Sequence, residues 1–160
     1  FYTFTVIANL IAAPFNSILS AKIEAFMTVK KPEDINSDKF IKLIYRTLKA
    51  EIQKIIYAIK WFIPLLIITV IPGLNIVAPF LWIIFAAWFF ALEYSDYPLA
   101  NRGWFFDEVK AYNQKNRMRT LGLGTGVFIM TSIPVLNFFA MPVAVAGATR
   151  LTTKLENAKR

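Results

Sequence analysis

Cysteine and histidine are both absent from this 160-residue chain, and only ten acidic residues stand against eighteen basic ones. Without cysteine there is no disulfide framework, haem-attachment motif or thiolate metal site. Without histidine the usual proton shuttle and metal ligand is missing, and with it the base of a nucleophilic triad. No nucleophile elbow is present, and the acids are scattered rather than clustered into a ligand set. Gly122, Gly124 and Gly126 alternate, but the Lys and Ser or Thr of a phosphate loop do not follow them. These absences argue against an enzyme and imply neither cofactor nor metal.

Charge is also missing over long distances. No charged residue occurs from Trp61 to Leu92 or from Thr120 to Thr149, in a chain that is 57% hydrophobic and 16% aromatic. That composition belongs to integral membrane proteins. At 1.5 Å per helical residue, stretches of roughly thirty residues exceed the roughly 20 needed for one crossing and fall short of two.

Each stretch carries a helix breaker near its middle. Ile71-Pro72-Gly73-Leu74-Asn75-Ile76-Val77-Ala78-Pro79 is echoed by Ile133-Pro134-Val135-Leu136-Asn137-Phe138-Phe139-Ala140-Met141-Pro142, with one extra residue before the last proline. Splitting there leaves arms of about 10 to 15 residues, a length that suits re-entrant or interfacial helices. The expected architecture is an all-α integral membrane protein with spanning helices, two half-penetrating helical hairpins and amphipathic connecting helices. A single overlong, proline-kinked, tilted span at each place is the alternative.

The basic residues are segregated into the polar segments. Lys and Arg outnumber Asp and Glu by 9 to 5 over 22–60, by 5 to 4 over 93–119 and by 4 to 1 over 150–160. Hairpins dipping from the cytoplasmic side would produce that pattern. Nucleic acid is a poor partner, since no reading module accompanies the lysines. Anionic lipid head groups or an anionic solute fit better.

Along the chain, residues 1–28 read as the end of a spanning helix interrupted at Pro14. The segment opens without methionine inside an apolar run and without the basic start of a signal peptide, so residues are expected ahead of Phe1. After the polar loop Lys30–Asp34, a helix over 37–60, capped by Ser37 or Asp38, places Phe40, Ile44, Leu48, Ile52, Ile55 or Ile56, and Ile59 on one stripe. Lys42, Arg46, Lys49 and Lys54 lie elsewhere around it. This basic amphipathic helix either lies at the interface with solvated lysines or lends charges, with Glu51, to a pore vestibule.

The first hairpin occupies 61–92. Glu93 to Pro98 follows as an interfacial belt, with Pro98 expected to end the helix. A second amphipathic helix is expected over 104–119, the second hairpin over 120–149 and a tail over 150–160. The alternating glycines at the start of that hairpin suit close helix approach.

At each tip, Asn75 or Asn137 sits beside the exposed N–H groups of the following arm, a ready place for an anion. Either asparagine can equally serve as an ordinary N-cap.

Taken together, Ile7–Asn16, Ile71–Pro79, Tyr94–Pro98 and Met141–Thr149 resemble the bacterial sulfate permease family CysZ over nearly the whole chain. The resemblance implies an inner-membrane homo-oligomer, with two long spanning helices and two half-penetrating hairpins, that admits sulfate for cysteine synthesis. It carries over Glu51, Lys54, Asn75, Asn137 and Asp96 as pathway residues. The family's Gly-x-Arg sulfate-binding loop would fall ahead of Phe1.

The reading is a channel- or facilitator-like sulfate permease, with sulfite as a related oxyanion. Lys54 and nearby Arg46 attract the dianion, Glu51 sets the field and the tips offer neutral donors. Asp96 and Glu51 are the candidates for proton coupling. The alternative is a non-transporting scaffold whose basic helices bind anionic lipid.

Overall fold

The computed structural model describes residues 15–27 and 37–157. Among them every regular element is helical: α1 over 15–27, α2 Ser37–Val70, α3 Ala78–Asn101, α4 Phe106–Lys115, α5 Arg117–Ser132 and α6 Pro134–Asn157. Pro14 and the loop Lys30–Asp34 lie outside the described residues.

Both repeated phrases break the chain, but by different geometry. At the first, Gly73 takes φ 88°, a left-handed conformation that a side chain resists, and Leu74–Ile76 forms a 3₁₀ turn. Pro79 then sits in the first turn of α3, where its missing N–H costs no helical bond. At the second, only Ile133 interrupts the helices. It is held extended at φ −102°, ψ 115° because the following proline crowds the α region. Pro134 itself opens α6.

The helices run past the borders that charge alone suggested. The boundary expected at Lys60 is not a break, since α2 is one helix of 34 residues with Pro64 inside it. Pro98 does not end α3, which continues to Asn101. The stop is set instead by Gly103 at φ 91°, whose N–H bonds the Ala100 carbonyl at 2.9 Å, with Trp104 N–H on Leu99 at 3.2 Å. The second hairpin's arms likewise begin at Arg117 and end at Asn157.

Three stretches are therefore long and apolar enough to cross a membrane: Leu48–Val70, Ala78–Asn101 and Pro134–Leu155. A 23-residue stretch measures about 35 Å, against a hydrocarbon core of about 30 Å. The arms exceed the expected ten to fifteen residues because charge does not end them: Glu51, Lys54 and Asp96 turn into the bundle, while Lys60, Arg119 and Arg150 are carried on exposed positions of the same helices.

Contacts set the helix directions. Tyr94 and Tyr97 pack with Ala144, Val145 and Ala148, Leu99 with Leu155, and Arg102 bonds Thr153. Position numbers rise together, so α3 and α6 run the same way and both breakers lie at one end of the bundle. Helix α2 runs against α3: Trp82 Nε1 bonds Thr69 Oγ1 at 3.0 Å, and Trp88 Nε1 bonds the Tyr57 hydroxyl at 3.1 Å.

Of the three alternating glycines, only Gly124 mediates close approach. A Cβ there would overlap the Ala87 carbonyl oxygen and come within 3.0 Å of Ala91 Cβ, whereas Gly122 and Gly126 face open space.

The polarity of α2 is inverted relative to a water-soluble helix. Ile52, Ile55, Ile56 and Ile59 are exposed, while Ala50, Glu51 and Lys54 are buried. An apolar exterior over an ionic interior suits lipid as the surrounding solvent.

Candidate functional site

Helical spacing builds the site. Glu51 and Lys54 stand three apart on α2, Glu93 and Asp96 three apart on α3, and residues at that spacing share a helix face. Where the two faces meet, Lys54 Nζ lies 2.6 Å from Glu51 Oε1, 2.9 Å from Glu93 Oε2 and 3.4 Å from Asp96 Oδ2. Its side chain is 1% exposed, and that of Asp96 is 4%.

Aromatic and amide groups complete the shell. The ammonium lies 5.6 Å from the Tyr97 ring centroid, within cation–π range. The Tyr97 hydroxyl donates to Glu93 Oε1 at 3.0 Å and accepts from Asn16 Nδ2 of α1 at 3.4 Å. A cavity of about 230 Å³ opens beside this group. Asn16, Glu51, Lys54, Glu93 and Tyr97 form its polar lining, with Phe89, Phe90 and Met141 among its apolar walls.

The electrostatics follow from the count of one ammonium against three carboxylates. Two unit charges 4 Å apart interact by about 4 kcal/mol at an effective dielectric near 20, so each ion pair is substantial. Carboxylate repulsion opposes them at comparable range. With all groups ionised the cluster is net negative, and Lys54 in this arrangement is committed to its neighbours rather than open to a dianion.

A second polar seam joins α1 to the bundle. Ser17 Oγ donates to Asn101 Oδ1 at 2.5 Å, the Ser20 and Thr149 hydroxyls are 2.9 Å apart, and Arg102 reaches Glu24 at 3.0 Å.

Of the residues singled out from the sequence, Glu51, Lys54 and Asp96 converge. Asn75 and Asn137 do not join them, lying at the breaker end of the bundle, exposed. Ala78, which opens α3 at that end, and Asp96 are separated along the helix by about 27 Å. Neither asparagine is an N-cap: Val77 precedes α3, and Asn137 lies within the first turn of α6. Arg46 is on α2, but its side chain lies outside the described residues.

Glu93, Tyr97 and Asn16 were missed. A signal for Glu93 was present, since it precedes Asp96 by the interval that separates Glu51 from Lys54. Reading 93–98 as a belt at the interface obscured it.

Comparison with known proteins gives a consistent picture. The family model described as sulfate transporter CysZ/etoposide-induced protein 2.4 matches residues 1–142. A sulfate transporter CysZ from Vibrio atlanticus is 40% identical over 151 residues, covering 94% of this chain and 60% of the relative. One from Pseudomonas syringae pv. tomato is 39% identical, covering 93% and 59%. One from Pseudomonas paraeruginosa is 36% identical, covering 99% and 65%. The chain thus spans about 60% of the length of the first two curated relatives.

Proposed function

The chain belongs to the family of the sulfate transporter CysZ and etoposide-induced protein 2.4, and we propose that it forms the membrane pathway of a bacterial sulfate permease. In this reading it admits sulfate across the inner membrane for cysteine synthesis, as a channel or facilitator rather than a catalyst. The observation that carries it is the buried Lys54 cluster lining a cavity between membrane-length helices. Ionisable groups at such depth are expensive to bury and characteristically mark solute or ion routes. The relatives' names supply the solute.

The passage has two zones. At the breaker end, the N–H groups that begin α3 and α6, with the amides of Asn75 and Asn137, offer neutral donors that hold an oxyanion weakly. Deeper in, Lys54 is the only cation of the cavity lining among the described residues, and it meets sulfate only when a carboxylate leaves it. The described arrangement is then the closed one. Glu51, Glu93 and Asp96 set the field, and Arg46 contributes attraction from the same helix. The exposed apolar face of α2 suits lipid or a second copy in a homo-oligomer. No observation favours the scaffold alternative.

Radiolabelled sulfate uptake into proteoliposomes containing the full-length protein tests this, with chloride as competitor. Uptake is expected to saturate, to resist chloride and to rise several-fold in Glu51→Gln, where one carboxylate no longer neutralises Lys54. No uptake above empty liposomes, from protein shown to be folded, overturns the reading. An unchanged rate in Glu51→Gln removes the cluster from the pathway.

A further inference from the structure

Helix α1 meets the bundle differently from the other helices. The α3, α5 and α6 contacts are small and apolar, built on Ala87, Ala91, Gly124, Val127, Ala144 and Ala148. By contrast, the buried side chains of α1 are Asn16, Ser17 and Ser20, all polar and all hydrogen-bonded to α3 or α6, with Leu19 and Ile23 packing only partly buried beside them. In a bilayer, apolar burial supplies no hydrophobic drive, so such bonds act as the glue. They are also the contacts that water can replace at little enthalpic loss.

One of them leads to the ammonium. Asn16 donates to Tyr97, Tyr97 donates to Glu93 Oε1, and Lys54 holds the other oxygen, Oε2. A hydroxyl has one proton and two acceptor sites, so Tyr97 can serve both neighbours at once. Glu93, whose side chain is 24% exposed at the cavity, is thereby clamped from two sides. With the phenolic donor gone, only the ammonium restrains it, and the partly open cavity offers it water instead.

Building on the permease reading, we infer that Tyr97 and Asn16 are positioning residues that hold Glu93 on Lys54, so that α1 controls whether the ammonium is exposed. Withdrawal of α1 removes the Asn16 bond, loosens Tyr97 and lets Glu93 turn into the cavity. Lys54 then faces solute. Neither residue needs to touch the anion.

The test reads the lysine directly. The full-length protein in lipid nanodiscs is treated with a small water-soluble amine-reactive reagent, and modification of Lys54 is quantified by mass spectrometry against Lys115, exposed at the end of α4 and outside the membrane-length stretches. Tyr97→Phe keeps the ring and its packing and removes only the hydroxyl. Its Lys54 labelling is expected to rise several-fold, that of Asn16→Ala by less, and Lys115 labelling to stay constant. Unchanged Lys54 labelling in Tyr97→Phe overturns the inference, whether or not the protein moves sulfate.

Sulfate flux supplies the second arm. Tyr97→Phe should raise uptake in the wild-type background and add nothing to Glu93→Gln, because both changes release the same contact. Additive effects would assign Tyr97 a separate, merely structural role. Absence of uptake in every variant, with Lys54 labelling raised, would sink the permease reading and leave the positioning role standing.

Discussion

Lys54 holds three carboxylates together, whereas each carboxylate is one of three around it, and that asymmetry predicts unequal tolerance to substitution. Removing the ammonium strands Glu51, Glu93 and Asp96 against one another. Breaking a buried ion pair from one side costs about 3–5 kcal/mol, so Lys54→Met should lower the midpoint of thermal unfolding in detergent sharply. Glu93→Gln leaves two carboxylates on the ammonium and relieves repulsion, so its midpoint should stay near wild type. Equal loss in both variants would mean that the cluster is held by packing rather than charge. Glu51 and Lys54 could be picked out through the family resemblance, with the basic helix over 37–60 offering them as one of its two readings. Their burial could not, since periodicity tells which residues share a helix face but not whether that face meets lipid or protein. The interior assignment needed α3, whose Glu93 and Asp96 supply the partners.

Helix ends were legible at the two repeated phrases but not at Gly103, whose positive φ stops α3 where Pro98 had been expected to. The phrases at Ile71 and Ile133 interrupt the helices as their glycine and prolines require, while Pro98 shows the converse case of a proline near a helix end that removes one bond without stopping the helix. Outer ends were harder, because charge was taken as a border and these helices carry it within them, buried at Glu51, Lys54 and Asp96 and exposed at Lys60 and Arg150. Close crossing was legible only as a run of small residues. Which of three glycines mediates it depends on the rotation of α5 against α3. Gly124→Ala should therefore disrupt that crossing, with a loss of about 1–3 kcal/mol or failure to fold, as overpacking predicts. Gly122→Ala meets open space, and the better helix propensity of alanine, worth about 1 kcal/mol, should leave it neutral or slightly stabilised. Circular-dichroism melts of the two variants check the pair, and a destabilised Gly122→Ala would contradict the orientation of α5.

The whole bundle has a direction: α3 and α6 run parallel from the breaker end, and the ionic cluster lies well along their length. These 160 residues contain no cysteine, so once any cysteine elsewhere in the full-length protein is replaced, Asn75→Cys and Asn137→Cys can each be probed alone with a membrane-impermeant thiol reagent. Both should respond from the same side of sealed vesicles. Labelling from opposite sides would contradict the parallel course of the two helices. The inverted polarity of α2 also bears on how the protein is made. Leaving the translocon alone, α2 would present Glu51 and Lys54 to lipid, and a charged residue at the centre of a helix costs about 2.5 to 3.5 kcal/mol on the insertion scale. Its carboxylate partners on α3 are synthesised only after the 71–77 turn. Helix α2 therefore gains most by waiting at the translocon until α3 emerges, so that its buried charges enter the bilayer covered by α3 rather than facing lipid.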